Sequence, residues 1–236
     1  MNKETFINEV NKLGITLTDD MLLKLDRYYH LLVEWNNKMN LTSITKEEDV
    51  YLKHFYDSLT LYKTPKELID LNSNIKVCDV GTGAGFPGIV LKIVFPSIDI
   101  TLVDSLNKRI TFLNEVIKDL NLTNIKTVHS RIEEYSKNLR EEFDLVTSRA
   151  VANLKILSEI SLPLVKVNGY FIPMKANVEE EIKESTEILK KLDSKIIDTI
   201  SFNLPIENSI RNLVIIKKLK ETNKKYPREF NKIKKG

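Results

Sequence analysis

The spacing of apolar residues predicts helices over the first 70 or so residues. Thr18 precedes two aspartates, as at a helix start, and apolar residues then recur every three or four positions from Met21 to Trp35. A second start is predicted at Thr45, before the acidic stretch 47–49 and another apolar series. Pro65 and the polar cluster 72–74 then interrupt the pattern, so we expect a helical unit that ends near residue 70.

From Ile75 the pattern changes to short β-branched runs that alternate with helical stretches. The five predicted strands are IKVCDV, IDITLVD, IKTVHS, FDLVTS and GYFIPM. Helices are expected from about Pro87, over about 108–120, around Glu133, over about 153–164 and over about 178–191. This alternation indicates a parallel sheet covered by helices on both faces.

The end of the chain departs from this alternation. Residues 194–202 and 211–219 both resemble strands, with no helix between them, which predicts an antiparallel hairpin at one edge of the sheet. The fold class is therefore α/β: a doubly wound, mostly parallel seven-stranded sheet with an N-terminal helical extension. The expected organisation is a helical extension over 1–70, the sheet domain over 71–220 and a basic tail over 221–236.

Glycine is concentrated in the stretch VCDVGTGAGFPG. The chain has seven glycines, and four of them lie between positions 81 and 88. On the predicted layout this is the first strand-to-helix turn, where doubly wound sheets bind ligands. A tight turn with nothing bound would need fewer glycines, so a ligand-binding loop is favoured.

The identity of the ligand depends on the residues around these glycines. Counted from Gly83, the loop fits the dinucleotide pattern G-x-G-x-x-G, but Pro87 removes a backbone N–H that a pyrophosphate would use. Asp79, at the end of the strand, suits a cationic ligand such as S-adenosylmethionine. Asp104 ends the next strand, where a carboxylate can bind ribose hydroxyls in either class of protein. A nicotinamide-dependent oxidoreductase therefore stays open as an alternative at this point.

Two longer stretches carry a family resemblance. VCDVGTGAGFPGIVLKI and TSRAVANLKILSEISLPLVKVNGYFIPMKA resemble the RsmG (GidB) family of small-subunit ribosomal RNA methyltransferases, and YYHLLVEWNNKMNLTSITKEEDVYLKHFYDSL is similar to that family's helical segment. The resemblance covers nearly the whole chain. It implies a class I methyltransferase fold and methyl transfer from S-adenosylmethionine to N7 of a guanine in 16S ribosomal RNA.

The candidate site residues follow from the strand ends and from the resemblance together. The expected cofactor-binding residues are Asp79, Gly81, Gly83, Gly85, Phe86, Asp104, Ile132, Glu133 and Arg149. Arg149 is also expected to position the reactants, and no metal site is expected. The resemblance weakens at the end of the chain, because Tyr226-Pro227-Arg228 is followed by EFNKIKKG instead of a Gly/Pro-containing segment.

The expected chemistry requires little from side chains. Guanine N7 presents a lone pair in the neutral base, so in-line displacement needs positioning and desolvation without a general base. The single cysteine, Cys78, falls inside a predicted strand and is expected to be a buried core residue. His54 is expected to pack between helices and Asp57 to support the glycine loop.

Charge and composition complete the prediction. Between Lys217 and the C-terminus nine basic residues accompany two acidic ones, so the net charge of +3 arises in the tail, which could bind a polyanion such as RNA.

The residues after Met1 lack a signal-peptide pattern, and no run of apolar residues is long enough to span a bilayer. We therefore expect a cytoplasmic monomer that acts on 16S RNA or the small subunit. A methyltransferase for a small molecule or another RNA, and an assembly factor without activity, remain the alternatives.

Overall fold

The computed structural model describes residues 1–149 and 151–234. The N-terminal part contains α1 (Lys3–Lys12) and α2 (Asp19–Met39), and Thr18 caps α2 by accepting a hydrogen bond from the Met21 amide at 3.3 Å. The next helix starts one residue later than predicted: α3 (Glu47–Val50) has Lys46 at its N-cap and no side-chain cap.

A continuous helical segment follows α3. It consists of a π-helical turn (Tyr51–Tyr56), α4 (Asp57–Leu59) and a 3-10 turn (Thr60–Lys63). Short π-helical turns widen the hydrogen-bonding ring of a helix and are frequent at functional sites. Here the turn carries His54 and precedes Asp57, and both residues contact the site described below.

The rest of the chain alternates strands and helices. The strands are β1 (Lys76–Val80), β2 (Asp99–Asp104), β3 (Ile125–His129), β4 (Phe143–Arg149), β5 (Val165–Lys175), β6 (Ser194–Asn203) and β7 (Ile210–Lys218). The helices are α5 (Gly88–Val94), α6 (Asn107–Asp119), α7 (Ile132–Asn138), α8 (Leu154–Ser161), α9 (Glu179–Lys191) and α10 (Phe230–Lys234), with a 3-10 turn (Leu162–Leu164) after α8.

The seven strands form one sheet in the order β3-β2-β1-β4-β5-β7-β6. Strands β1 to β5 pair in parallel, whereas β7 pairs antiparallel with both β5 and β6. The doubly wound sheet, the edge hairpin and the N-terminal helices are therefore confirmed. The strand order reverses between β1 and β4, so the loops after these strands flank a crevice at the carboxyl edge of the sheet.

Two apolar cores cover the two faces of the sheet. One contains the N-terminal helices with α5 and α6, including the buried residues Phe6, Tyr28 and Phe112. The other contains α7, α8 and α9 and also holds Tyr226 and Ile233 from the C-terminal end. The side chains of Tyr28, Tyr29 and Trp35, all on α2, pack in or against the first core. Within the described residues, no helix has the length and apolar character needed to cross a membrane.

Candidate functional site

A cavity of about 440 Å³ opens at the carboxyl edge of the sheet, beside the reversal of strand order. Its volume lies in the range typical of small-molecule sites. Seven of the nine residues expected to contact a cofactor line it, namely Gly81, Gly83, Phe86, Asp104, Ile132, Glu133 and Arg149. The parallel strands bring these residues together because each follows or ends a strand at the same edge.

The glycine loop lies against the end of β2. The amides of Gly81 and Thr82 both donate to the Val103 carbonyl oxygen, at 2.8 and 3.1 Å. Gly83 has φ +62°, and a Cβ there would meet no other atom within 4 Å, since the position borders the cavity. At Gly81, with φ +69°, a Cβ would lie 2.5 Å from the Val151 side chain. The loop thus presents bare backbone to the cavity, as a closely bound ligand requires.

Asp79 and Gly85 were expected to contact the cofactor, but they lie outside the lining of the cavity. Asp79 is fully buried, and its Oδ2 accepts hydrogen bonds from the Thr82 hydroxyl at 2.7 Å and from the Gly88 amide at 2.9 Å. Neither Asp79 nor Gly85 is among the residues that line the cavity. Asp79 therefore holds the loop against the start of α5, and burial raises the pKa of its carboxyl to about 6.

Gly85 serves packing between the loop and α2. Its φ is +100°, and a Cβ there would lie 2.5 Å from the hydroxyl oxygen of Tyr28. That hydroxyl is buried and donates a hydrogen bond to the Ala84 carbonyl oxygen. The N-terminal helices thus hold the glycine loop from behind, away from the cavity.

Asp104 occupies the end of β2, on the floor of the cavity. Its carboxylate accepts hydrogen bonds from the amides of Gly83 and Leu106, each at 2.9 Å, and pairs with the Arg109 guanidinium at 3.1 Å. The side chain is almost entirely buried. These partners fix the carboxylate at the place where the sequence predicted a ligand for ribose hydroxyls.

The opposite wall of the cavity is formed by the start of α7 and by α8. Ile132 and Glu133 lie at the first turn of α7, where the Glu133 carboxylate pairs with the Arg131 guanidinium at 2.6 Å. Ile156 and Ile160 of α8 add apolar surface to the same cavity. This side suits a flat apolar group such as an adenine ring.

Arg149 ends β4 and lies at the centre of a polar cluster that the sequence did not predict. Its guanidinium donates to the Lys53 carbonyl oxygen at 2.8 Å and to Asp57 Oδ2 at 3.0 Å, and lies 3.1 Å from His54 Nδ1. Arg211 of β7 pairs with the other oxygen of Asp57 at 3.2 Å. The Asp57 carboxylate therefore compensates two arginines, and its hydrogen bonds go to them instead of to the glycine loop that it was expected to support.

His54 and Phe86 form the other half of this cluster. Their rings are parallel within 16°, with centroids 4.2 Å apart, and the Arg149 guanidinium carbon lies 5.4 Å from the centroid of the Phe86 ring. His54 Nε2 lies 3.1 Å from the Thr42 hydroxyl. Burial, with the nearby charge of Arg149, lowers the pKa of His54 to about 3, so its imidazole is neutral near pH 7.

A second cavity of about 550 Å³ adjoins the first, and His54 and Arg149 line both. Its remaining polar lining comes mainly from Lys53, Asp57, Lys175, Asn177, Glu181 and Arg211. The first cavity combines bare glycine backbone and aliphatic side chains with charged groups such as Asp104 and Glu133, and the second holds the two arginines that pair with Asp57. Two ligands can therefore approach each other beside Arg149.

Comparison with known proteins places this architecture in a family. Residues 21–221 match the profile of the GidB family, described as rRNA small subunit methyltransferase G. The chain belongs to this family. It is 49% identical over 232 residues to the ribosomal RNA small subunit methyltransferase G of Lysinibacillus sphaericus. The aligned region covers 97% of this chain and 96% of that relative. The protein of the same name from Bacillus subtilis is 48% identical, with coverages of 97% and 95%.

Solved structures of other proteins share the fold at low sequence identity. MtNAS in complex with MTA and tNA superimposes with a TM-score of 0.57 at 15% identity, covering 84% of this chain and 74% of that one. TYW2 from M. jannaschii, in complex with AdoMet, gives a TM-score of 0.51 at 17% identity, with coverages of 64% of this chain and 73% of that one. These likenesses support the class I methyltransferase architecture of the sheet.

The basic residues from Lys217 to the C-terminus contribute to the fold as well as to surface charge. Lys218 is fully buried, and its ammonium group donates to the carbonyl oxygens of Leu162 and Val165 and pairs with Glu141. Arg228 pairs with the buried carboxylate of Glu159 at 2.8 Å. Lys235, also counted in the tail, lies outside the described residues.

Among the described residues, no group of three or more His, Cys, Asp or Glu side chains could hold a metal ion.

Proposed function

We propose that this chain transfers a methyl group from S-adenosylmethionine to N7 of a guanine in 16S ribosomal RNA. The observation that carries the proposal is the pair of adjoining cavities that share Arg149 and His54, at the carboxyl edge of the sheet in a member of this methyltransferase family. One cavity has the features of a cofactor site, and the other can receive a polar base.

The residues of the first cavity fit S-adenosylmethionine. The bare backbone at Gly81 and Gly83 would lie against the methionine part, and the fixed Asp104 carboxylate would accept hydrogen bonds from the ribose hydroxyls. Ile132 and Glu133 would contact the adenine. When bound, the cofactor supplies an electrophilic methyl group on its sulfonium.

The second cavity suits the acceptor base. Guanine presents N7 and O6 as hydrogen-bond acceptors, and arginine or lysine is the usual donor to them. Arg149, Arg211 and Lys175 line this cavity and can orient such an edge. Arg149 acts as a positioning residue, since its own contacts to Asp57, His54 and the Lys53 carbonyl fix its guanidinium.

The reaction would then proceed by in-line displacement without proton abstraction. Guanine N7 has a free lone pair, so a base is unnecessary. Neutral His54 has one ring nitrogen close to Arg149 and the other close to Thr42, which leaves it to shape the site. The Cys78 thiol is buried and its pKa is raised by burial, so it is unsuited to act as a nucleophile.

The remaining assignments rest on this activity and on the layout of the chain. We propose that the protein acts in the cytoplasm as a monomer, on 16S RNA or on the small subunit. Residues 1–70 would form a helical extension that supports the glycine loop, residues 71–220 the catalytic domain and residues 221–236 a basic tail. The contact between Tyr28 and the loop supports the role of the extension.

The proposal is tested by methyl transfer in vitro. Purified protein is incubated with methyl-labelled S-adenosylmethionine and either naked 16S RNA or small subunits from a strain that lacks the gene. N7-methylguanine is then mapped by reduction and strand cleavage. We expect label at one guanine N7, and the two RNA forms show which is the substrate.

Two variants make this test specific. Arg149→Ala should abolish transfer, whereas Arg27→Ala should not, because Arg27 pairs with Asp119 on the surface, away from both cavities. Label in another RNA or only in small molecules would favour the alternative methyltransferases. A chain that binds S-adenosylhomocysteine but never transfers methyl would favour an assembly factor. If the protein did not bind S-adenosylhomocysteine, the proposed function, the alternative methyltransferases and the assembly factor with a cofactor pocket would all be overturned.

A further inference from the structure

The C-terminal segment, residues 222–234, returns to the first cavity. Phe230, at the start of α10, is one of the residues that line this cavity. The segment lies far along the chain from the glycine loop, and it contains the stretch after Arg228 where the sequence departs from the family pattern. Its position indicates a role that the strand-end residues do not account for.

Buried interactions anchor the segment on the sheet domain. The Arg228 guanidinium makes two hydrogen bonds to Glu159, at 2.9 and 2.8 Å, and the Arg228 amide makes a third at 2.9 Å. The Arg140 guanidinium donates to the carbonyl oxygens of Thr222 and Tyr226, at 2.6 and 2.7 Å. Glu159 is only 1% exposed, so burial of its carboxylate costs desolvation free energy. Pairing with Arg228 offsets this cost, which holds the segment in place.

The apolar residues of the segment add to this anchoring. Tyr226 and Ile233 are 5% and 3% exposed and belong to the core beside α8. Phe230 lies between these two anchors in sequence, so the backbone on either side of it is held. Its ring is therefore placed at the cavity by fixed neighbours on both sides.

The surroundings of Phe230 combine one cation with aliphatic side chains of the same cavity lining. The Arg131 guanidinium carbon lies 4.9 Å from the centroid of the Phe230 ring, and Arg131 directly precedes Ile132 and Glu133. Ile156 and Ile160 line the same cavity. An aromatic ring beside these aliphatic groups provides a surface for a flat heteroaromatic ligand.

We propose that Phe230 contacts the adenine ring of the cofactor and that the C-terminal segment is the outer wall of the adenine site. This inference rests on S-adenosylmethionine as the cofactor and adds a binding residue that the strand ends do not supply. Arg131, between the Phe230 ring and the Glu133 carboxylate, links this wall to the start of α7.

Calorimetry with two ligands tests the proposal. S-adenosylhomocysteine contains the whole cofactor apart from the methyl group, whereas 5′-methylthioadenosine lacks the amino acid part. Phe230→Ala should raise the Kd of both ligands by about tenfold, the scale expected for loss of one aromatic contact to a base. An equal effect on both ligands places the contact on the adenosine half. Values within twofold of wild type for both ligands would overturn the proposal.

Phe202→Ala is the matched control. Phe202 also has a cation over its ring, Lys63 at 5.1 Å from the centroid, but it lies on β6 outside the cavity lining. This variant should keep both Kd values. If wild-type protein bound neither ligand, the proposed function would fail; if wild type bound and Phe230→Ala bound equally well, only the present inference would fail.

A fluorescence experiment remains informative if Phe230→Ala is poorly folded. Trp35 is the single tryptophan and packs against Phe112 away from the cavity lining. In a Trp35→Phe/Phe230→Trp variant the new indole should report directly on the adenine. We expect its emission to be quenched by S-adenosylhomocysteine and by 5′-methylthioadenosine. An unchanged emission at saturating ligand would contradict the contact.

Discussion

The Arg149 guanidinium donates a hydrogen bond of 3.0 Å to Asp57, a residue 92 positions earlier in the chain. Asp57 also pairs with Arg211, so one buried carboxylate compensates two arginines that line the second cavity. Asp57→Ala should lower the free energy of unfolding by about 3 kcal/mol, the scale for removing one partner of a buried ion pair. Urea unfolding measures this loss.

Asp57→Asn separates the electrostatic effect from packing. The amide keeps the shape and one acceptor oxygen but removes the charge, so its loss of stability should be smaller than that of alanine. Both variants should reduce kcat/KM for RNA more than they change the Kd of S-adenosylhomocysteine, because Arg211 borders only the second cavity. Equal losses in both measurements would contradict this division of the two cavities.

The fold was largely predictable from local patterns, whereas the Arg149 cluster was not. Strands alternate with helices in order, and the glycine loop and Asp104 follow from the ends of β1 and β2. Asp57 lies on a helix before the sheet begins, and Arg211 lies on the edge hairpin. Contacts among such distant segments depend on how the helices pack, which apolar spacing alone does not determine.

Asp79 shows a second limit of sequence reasoning. An acid directly before a glycine loop indicates either a ligand contact or support for the loop, and the sequence pattern is the same in both cases. The structure distinguishes them, because the carboxylate is directed to the Gly88 amide and the Thr82 hydroxyl. The π-helical turn that exposes the Lys53 carbonyl to Arg149 likewise has no signal in the periodicity.

Gly83 and Gly85 should respond differently to the same substitution. Gly83→Ala places a methyl group in open space at the cavity, so stability should fall by only about 1 kcal/mol, from the left-handed backbone. Binding of S-adenosylhomocysteine should nevertheless weaken by about tenfold, which corresponds to about 1.4 kcal/mol. Calorimetry and urea unfolding on the same preparations check both effects.

Gly85→Ala is expected to act mainly on stability. Its Cβ would lie 2.5 Å from the Tyr28 hydroxyl oxygen and 2.6 Å from Ile89 Cγ1, inside the packed first core. Overpacking of this kind costs about 1–3 kcal/mol, and the positive φ adds to it. A Gly85→Ala protein with wild-type stability and impaired binding would show that Gly85, like Gly83, faces the ligand.

Lys218→Met tests whether the buried lysine at the end of β7 is structural. The substitution leaves the Leu162 and Val165 carbonyl oxygens and the Glu141 carboxylate without their shared ammonium donor. We expect a loss of about 3 kcal/mol in urea unfolding, typical of a buried pair with one partner removed. Lys217→Met is the matched control, because this neighbour is less buried and has no such set of acceptors among the described residues. Equal losses in both variants would exclude the buried contact as the cause.

Asp79 should make stability depend on pH between about 4 and 6. Burial raises the pKa of its carboxyl in the folded protein from 3.8 to about 6, so the folded state binds the proton more tightly than the unfolded state. The resulting stabilisation is present below pH 4 and is lost as the pH rises through 6. Asp79→Asn cannot titrate, so between pH 4 and pH 7 its free energy of unfolding relative to wild type should rise by about 2 kcal/mol.

Thr82→Val extends this test in the opposite direction. The Thr82 hydroxyl donates to Asp79 Oδ2 and thereby lowers the carboxyl pKa, so its removal should raise that pKa further. The pH-dependent loss of stability should then continue above pH 6 in Thr82→Val and be absent in Asp79→Asn. Urea unfolding at half-unit steps from pH 4 to 8 compares the three proteins. If the free energy of unfolding changed with pH in the same way in all three proteins, Asp79 would have the same pKa in the folded and unfolded chains. Ionisation of the buried Asp79 carboxyl would then not destabilise the fold.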